Sequence, residues 1–295
     1  MNEEHFRVVR FENMKRRDFL QTFFSLFVKG ALLSTAGYMY AKYIEPRQLT
    51  VRRYEIVHPL IPKSFDGCRL LQFSDVHLGY HYTVDHFQRV VKRMNDLDPH
   101  LICFTGDLLD EPNKYEHVDA ITSLLTTLHA PLGKYCIYGN HDHGGYGTNI
   151  YKDMMENAGF RLLVNEWVRV RQGNEQIVIA GLDDFMLGQP NFAKTVQQLP
   201  KETYTIALIH EPDLVTQASV YPFHLQLSGH SHGGQIQLPW IGPLVTPPLA
   251  KQYVEGFYDV EQLTLYVNRG LGTTRMPFRF LTPPELTLFT LKAGS

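Results

Sequence analysis

The chain has 295 residues, 44% of them apolar, which suffices for a large α/β domain with a sizeable core. Its 28 Lys and Arg against 30 Asp and Glu leave a net charge of -2, so bulk charge gives no reason to expect a nucleic-acid partner. Three cysteines, Cys68, Cys103 and Cys136, are too few and odd in number for a disulfide framework.

From the N-terminus, a polar segment leads to Lys15-Arg16-Arg17-Asp18-Phe19-Leu20-Gln21, which opens an apolar stretch reaching about Ala41. Two arginines ahead of x-Phe-Leu at the mouth of a moderately apolar region resemble a twin-arginine export signal. Lys29 interrupts the run, and a charge in mid-membrane is costly, so an export signal suits it better than a stable span. Ser34-Thr35-Ala36 offers small residues for cleavage but no clean Ala-x-Ala, which leaves an uncleaved anchor open. The expected organisation is a signal or anchor over 1–42, a linker with Pro46 over 43–50, and one domain over 51–295. The implied partners are the twin-arginine export machinery and a membrane surface, and the implied location is the cell envelope.

Apolar or alternating runs predict strands at 51–57, 69–74, 101–105, 134–138, 167–171, 176–180, 204–209, 224–228, 263–267 and 285–291. Several are continuous runs, as for strands covered on both faces; 167–171 and 286–290 alternate, as for one solvated face. A helix over 84–94 places Phe87, Val90, Val91 and Met94 on one face, and a second over 118–128 gathers Ile121, Leu124, Leu125 and Leu128. A third, 151–157, stops before Gly159. Strand–helix alternation followed by further strands indicates an α/β fold with mixed sheets.

Five segments carry the chemistry: Asp75-Val76-His77, Gly106-Asp107-Leu108-Leu109-Asp110, Gly139-Asn140-His141-Asp142, His210, and Gly229-His230-Ser231-His232. Each follows a predicted strand, and open α/β sheets bind ligands beyond the carboxyl ends of their strands. Carboxylates, imidazoles and an amide oxygen without thiolate suit hard or borderline divalent metals. A carboxylate can bridge two cations, and two cations about 3.5–4 Å apart clamp both oxygens of a phosphoryl transfer and acidify a shared water. Each piece alone is common, whereas all five in order point to a two-metal phosphoesterase centre.

These motifs, over 69–235, resemble the calcineurin-like metallophosphoesterase superfamily. The resemblance implies two packed mixed β-sheets flanked by helices. It implies one metal held by Asp75, His77, Asp107 and His232, and a second held by Asp107, Asn140, His210 and His230, with Asp107 bridging. His141 would stand beside the phosphate and protonate the leaving oxygen or stabilise the transition state, and Asp110 would orient it. Asp142 matches an acidic residue that follows this histidine in many members. The run Asn268 to Phe280, then Pro283-Pro284-Glu285, looks like an exported or membrane-associated bacterial branch that includes YkuE-like proteins and enzymes cleaving UDP-diacylglucosamine. The expected activity is hydrolysis of a phosphodiester or pyrophosphate bond with two divalent ions, Mn, Zn or Fe. The substrate would be a small phosphoester or a lipid phosphate similar to UDP-2,3-diacylglucosamine. A broad cell-surface phosphomonoesterase or phosphodiesterase, and a non-catalytic metal-binding scaffold, stay open, as does the oligomeric state.

Arg275 and Arg279, in a Gly/Thr-rich turn, are candidates to hold a substrate phosphate, or are ordinary arginines of the turn. His81, His86, His117, His129, His143 and His224 have no place in the motif, although His81 and His143 follow ligands closely enough to meet substrate. Cys103 and Cys136 precede Asp107 and Asn140 by the same spacing, so adjacent strands would set them level; small buried hydrophobes are the expectation. The apolar segment 235–245 reads as a β-hairpin packed on the core, with Trp240 its most exposed residue.

Overall fold

The computed structural model describes residues 16–144 and 148–294. The chain divides into two units, Met1–Tyr40 and Ala41–Ser295. In the first, helix α1 (Arg16–Met39) is built from a proline-free run. Phe19, Phe23, Phe24, Leu26, Phe27 and Leu33 are exposed around it, and the segment is long and apolar enough to cross a membrane. The polar stretch before Arg16, Lys15 included, lies outside the described residues.

The second unit runs β1 (Thr50–His58), β2 (Arg69–Phe73), α2 (Val84–Asp96), β3 (Leu101–Phe104), α3 (Val118–Thr126), β4 (Lys134–Cys136), α4 (Asn140–His143), α5 (Thr148–Asn157), β5 (Phe160–Leu162), β6 (Glu166–Gln172), β7 (Glu175–Gly181), α6 (Phe192–Thr195), β8 (Thr205–Leu208), α7 (Val215–Ala218), β9 (Leu225–Ser228), β10 (Gln237–Leu238), β11 (Gly242–Pro243), β12 (Gly256–Val260), β13 (Leu263–Val267) and β14 (Glu285–Ala293). One six-stranded sheet has the order β1-β14-β2-β3-β4-β5, the other β12-β13-β9-β8-β7-β6. Both are mixed: β14 is antiparallel to β2, and β6 and β12 are antiparallel to β7 and β13, while the central strands are parallel.

The period-two alternation of each strand sorts its side chains between two cores. Leu70, Cys103, Phe289 and Leu291 of the first sheet meet Ile177, Ile206, Leu208, Leu225 and Tyr266 of the second. The opposite face of the first sheet, with Leu71, Phe73, Ile102 and Phe104, packs under α2, α3 and α5. Ala180, Ala207, Ile209 and Leu265 of the second sheet pack under α7 and its loops. The predicted stripe of α2 is buried as Phe87, Val90, Val91 and Met94. Full burial of each such side chain stabilises by about 1.5–3 kcal/mol. Gln72 ties the sheets together near the strand ends: its buried amide donates to the Ser228 carbonyl at 3.0 Å and to Thr105 Oγ1 at 3.3 Å.

Two expectations change. Cys103 lies opposite Tyr135, and Phe104 opposite Cys136. This offset of one residue turns the two thiols to opposite faces of the sheet, so they are separate buried hydrophobes. The apolar segment after the last histidine does form a hairpin, β10–β11, but its tip does not pack on the core. Trp240 is exposed by 103%, as expected, and Ile241 and Val245 are exposed with it by 72% and 70%.

Candidate metal centre

The strand ends converge as the motifs require. Asp75 and His77 follow β2, Asp107 follows β3, and Asn140 and His141 open α4 after β4. His210 follows β8, and His230 and His232 follow β9. The turns are joined by backbone bonds: Asp75 N–H donates to the Gly106 carbonyl at 2.9 Å, Val76 N–H to Asp107 at 2.7 Å, and Gly229 N–H to His210 at 3.1 Å. They hold an unusual backbone, since Asp75, His77, Asp107, His230 and His232 have φ of 50, 47, 62, 67 and 53°. Left-handed conformations cost a non-glycine residue roughly 1–2 kcal/mol each, and such strain gathers at functional sites. Gly139 is required for space: a Cβ there would lie 2.2 Å from Asp107 Oδ1.

The side chains form two groups that meet at Asp107. In the first, His77 Nε2 and His232 Nε2 are 3.0 Å apart, His232 Nε2 is 3.4 Å from Asp75 Oδ1, and His77 Nε2 is 3.5 Å from Asp107 Oδ2. In the second, His210 Nε2 lies 3.4 Å from Asp107 Oδ2, and His230 completes the group. In this second group the outer atoms are already committed. His210 Nδ1 bonds the Thr105 carbonyl at 2.7 Å, and His230 Nε2 bonds the Pro248 carbonyl at 2.8 Å. Such bonds fix which imidazole nitrogen points inward, the usual arrangement behind a metal-ligating histidine. Among the described residues, Asn140 Oδ1 and His210 Nε2 are buried without a hydrogen-bond partner. A buried polar atom left unpaired is costly, so these atoms suit a divalent cation, and the oxygen and imidazole donors suit a hard or borderline one.

Electrostatics agree. Burial pushes the Asp75 carboxyl up, beyond what the neighbouring imidazoles offset. Burial likewise raises Asp107, but His210, His141 and His77 outweigh it and hold that carboxyl low. Burial and His210 push His230 down to about 4, which favours the neutral, metal-binding imidazole.

His141 stands beside this cluster, its ring 4.6 Å from that of His77, and lines a cavity of about 400 Å³ with Asn140, Asp110, Lys114 and Leu187. Its Nδ1 is 2.9 Å from the Asp110 carbonyl and 3.4 Å from the Asp110 carboxylate, so Asp110 holds the ring mainly through its main chain. Burial lowers the His141 pKa, but Asp107 and Asp110 outweigh it and leave the net shift upward.

Sequence reasoning left Asp142 without a role, and the structure supplies one. Its buried carboxylate accepts from Asp107 N–H at 2.7 Å, Gly139 N–H at 2.9 Å and Leu108 N–H at 3.0 Å, clamping the Asp107 turn to α4. Burial and the Asp107 charge push its carboxyl up to about 7, against those three donors. The run after β13 also gains a physical role. Leu271 and Gly272 N–H groups bond the Asp75 carbonyl at 3.1 and 2.7 Å, and Arg269 is paired with Glu285 at 2.8 Å beneath them.

Arg279 is a correction. It is fully buried, and its guanidinium donates to the carbonyls of Arg269, Gly270, Gly272 and Thr282, so it builds the loop and has no access to a phosphate. Arg275 is exposed, and its carbonyl accepts from the Tyr80 hydroxyl. His143 bonds Asp183 at 2.8 Å and Thr148 at 3.3 Å through its two ring nitrogens, which makes it a staple of its loop. His224 packs against Tyr204 and His58, outside the metal cluster.

Comparison with known proteins matches residues 68–234 to the calcineurin-like phosphoesterase family. The chain is 47% identical to the uncharacterized metallophosphoesterase YkuE of Bacillus subtilis, over 96% of this chain and 99% of that one. It is 30% identical to the UDP-2,3-diacylglucosamine pyrophosphatase LpxG of Chlamydia trachomatis, over 85% and 92%. It is 25% identical to the phosphodiesterase YaeI of Escherichia coli, over 94% and 99%. With the two mixed sheets and the clustered carboxylates and imidazoles, these matches make the chain a member of the calcineurin-like phosphoesterase family, a hydrolase of phosphoester bonds.

Proposed function

We propose that the chain is a dinuclear phosphohydrolase that cleaves a phosphodiester or pyrophosphate bond in a lipid-linked substrate at a membrane surface. The observation that carries this reading is the pair of ligand groups meeting at Asp107, with His141 at the mouth of the adjoining cavity. Asp75, His77, Asp107 and His232 would hold one ion, and Asp107, Asn140, His210 and His230 the other. Bound there, two divalent ions supply Lewis-acid polarisation of the phosphate and acidify a water. His141, oriented by Asp110, gives a proton to the departing oxygen, a role that its upward-shifted pKa suits. Asp142 keeps Asp107 and α4 in register while the substrate turns over.

The lipid-linked substrate is favoured by the LpxG relative, by the apolar α1 and by the exposed Trp240 tip. Residues 1–42 would act as a twin-arginine signal or anchor and 43–50 would join it to the domain 51–295 bound for the envelope, as a packed join rather than a free linker, since Glu45 is buried and accepts from Thr282 N–H. An assay of UDP-2,3-diacylglucosamine against an aryl phosphodiester, with wild type and His141→Ala, tests both levels. Turnover of both substrates, each lost about 10²–10⁴-fold in His141→Ala, is expected. Aryl activity alone would remove the lipid-nucleotide substrate and keep the chemistry. Full activity of His141→Ala would remove the assigned acid.

A further inference from the structure

A second cavity, of about 470 Å³, is lined among the described residues by Lys42, Arg47, Arg89 and Asp85. Thr83, the N-cap of α2, and Asp85 in its first turn also line it, so the positive end of a 13-residue helix faces the same space. His86 lines it too, and burial, then Arg89 and Arg47, push its pKa down to about 4. Arg47 spends one donor on the Tyr43 carbonyl at 2.6 Å, which fixes its stem and leaves further guanidinium N–H groups. Tyr43, Pro46 and Leu271 give the cavity an apolar wall. Tyr82 also lines it, almost wholly buried, with a hydroxyl that has no hydrogen-bond partner among the described residues. Clustered guanidinium and ammonium groups at a helix N-terminus select phosphate oxygens. The volume and the apolar wall call for more than the bare ion.

We propose that this cavity is an anion site for the phosphate of an organic phosphate mono- or diester, separate from the metal centre. The Asp75 turn is its neighbour, since Leu271 and Gly272 line the cavity and bond the Asp75 carbonyl. Lys42 and Arg47 lie at the C-terminal end of the candidate membrane span Phe19–Arg47, so a phospholipid headgroup is one source of the ligand and a soluble organic phosphate the other.

The test uses full-length, metal-loaded protein in neutral detergent. It is titrated calorimetrically with glycerol 3-phosphate and, separately, with mixed micelles of phosphatidylglycerol or phosphatidylcholine. Wild type is compared with Arg47→Gln/Arg89→Gln and Arg47→Lys/Arg89→Lys. Binding by wild type in at least one arm is expected, weakened at least tenfold by the Gln pair and largely kept by the Lys pair. Turnover of an aryl phosphodiester without added phosphate should stay within twofold in the Gln pair. Binding of glycerol 3-phosphate supports a soluble ligand; binding of phosphatidylglycerol micelles alone supports a headgroup. Affinity unchanged in the Gln pair, which would place any bound phosphate at the metal centre, overturns the proposal. So does the absence of binding in both arms.

Discussion

Replacing Gly139 by Ala adds one carbon at the most crowded point of the centre. Gly139 has φ of -106°, which any residue adopts, so the change carries no backbone strain. The added Cβ would stand 2.2 Å from Asp107 Oδ1 and 2.6 Å from Asp107 N, where ordinary contacts begin near 3.4 Å. Relief requires a shift of about 1 Å in either the Asp107 turn or α4. Such a shift stretches two bonds, His141 N–H to Asp107 Oδ1 at 2.8 Å and Asp107 N–H to Asp142 Oδ2 at 2.7 Å. A hydrogen bond to a charged group contributes about 1.5–3 kcal/mol, so loss of these two should lower stability by roughly 3–6 kcal/mol. A misplacement of about 1 Å at a catalytic centre costs on the order of 10²-fold in rate. Gly37→Ala, in α1, is the control, because its Cβ would meet nothing within 4 Å among the described residues. Thermal unfolding, metal content and aryl phosphodiester turnover are read on both variants. Wild-type values for Gly139→Ala on all three would refute the crowding argument.

Asp142→Asn removes a carboxylate that accepts three N–H groups and presents an amide donor to them; a drop of about 2–4 kcal/mol with loss of bound metal is expected by denaturant titration and elemental analysis. Arg279→Gln should lower the unfolding midpoint strongly, by about 3–5 kcal/mol, and leave KM for an aryl phosphodiester within twofold in the folded fraction; a large rise in KM alone would return Arg279 to the substrate. His224 accepts from Thr205 N–H at 3.1 Å as a neutral ring, and burial, then His58, hold its pKa down to about 4 against 6.5 unfolded. The stability it contributes is therefore present above about pH 6.5 and lost as pH falls toward 4, by about 1–2 kcal/mol after discounting for a half-exposed ring; His224→Asn should flatten the unfolding midpoint across that window. Arg16→Lys/Arg17→Lys should leave the protein inside the cell on fractionation, and unchanged export would remove the twin-arginine route.

The convergence of the candidate ligands was legible because each sits beside a strand end, and strand ends follow from apolar runs such as 101–105 and 204–209. Every predicted strand is present, and 263–267 matches β13 to the residue. Four kinds of feature escaped. Short elements such as β5 and α7 have too few residues to show a period. Asp142 and Arg279 act through buried bonds to backbone groups, the latter to carbonyls of its own loop and the former to a turn 35 positions away, and no residue pattern marks such bonds. Side-by-side placement of Cys103 and Cys136 failed because register depends on pairing: the one-residue offset between β3 and β4 reverses the face. The left-handed backbone at Asp75, His77 and Asp107 was equally hidden, since none of them is glycine.

The central claim is that two ions share Asp107. Elemental analysis of metal per chain, on wild type, Asp107→Ala and His141→Ala reconstituted alike, tests it most directly. The account predicts two ions per chain in wild type and in His141→Ala, and near-complete loss of both in Asp107→Ala. Two ions retained in Asp107→Ala, or one ion in wild type, would contradict it.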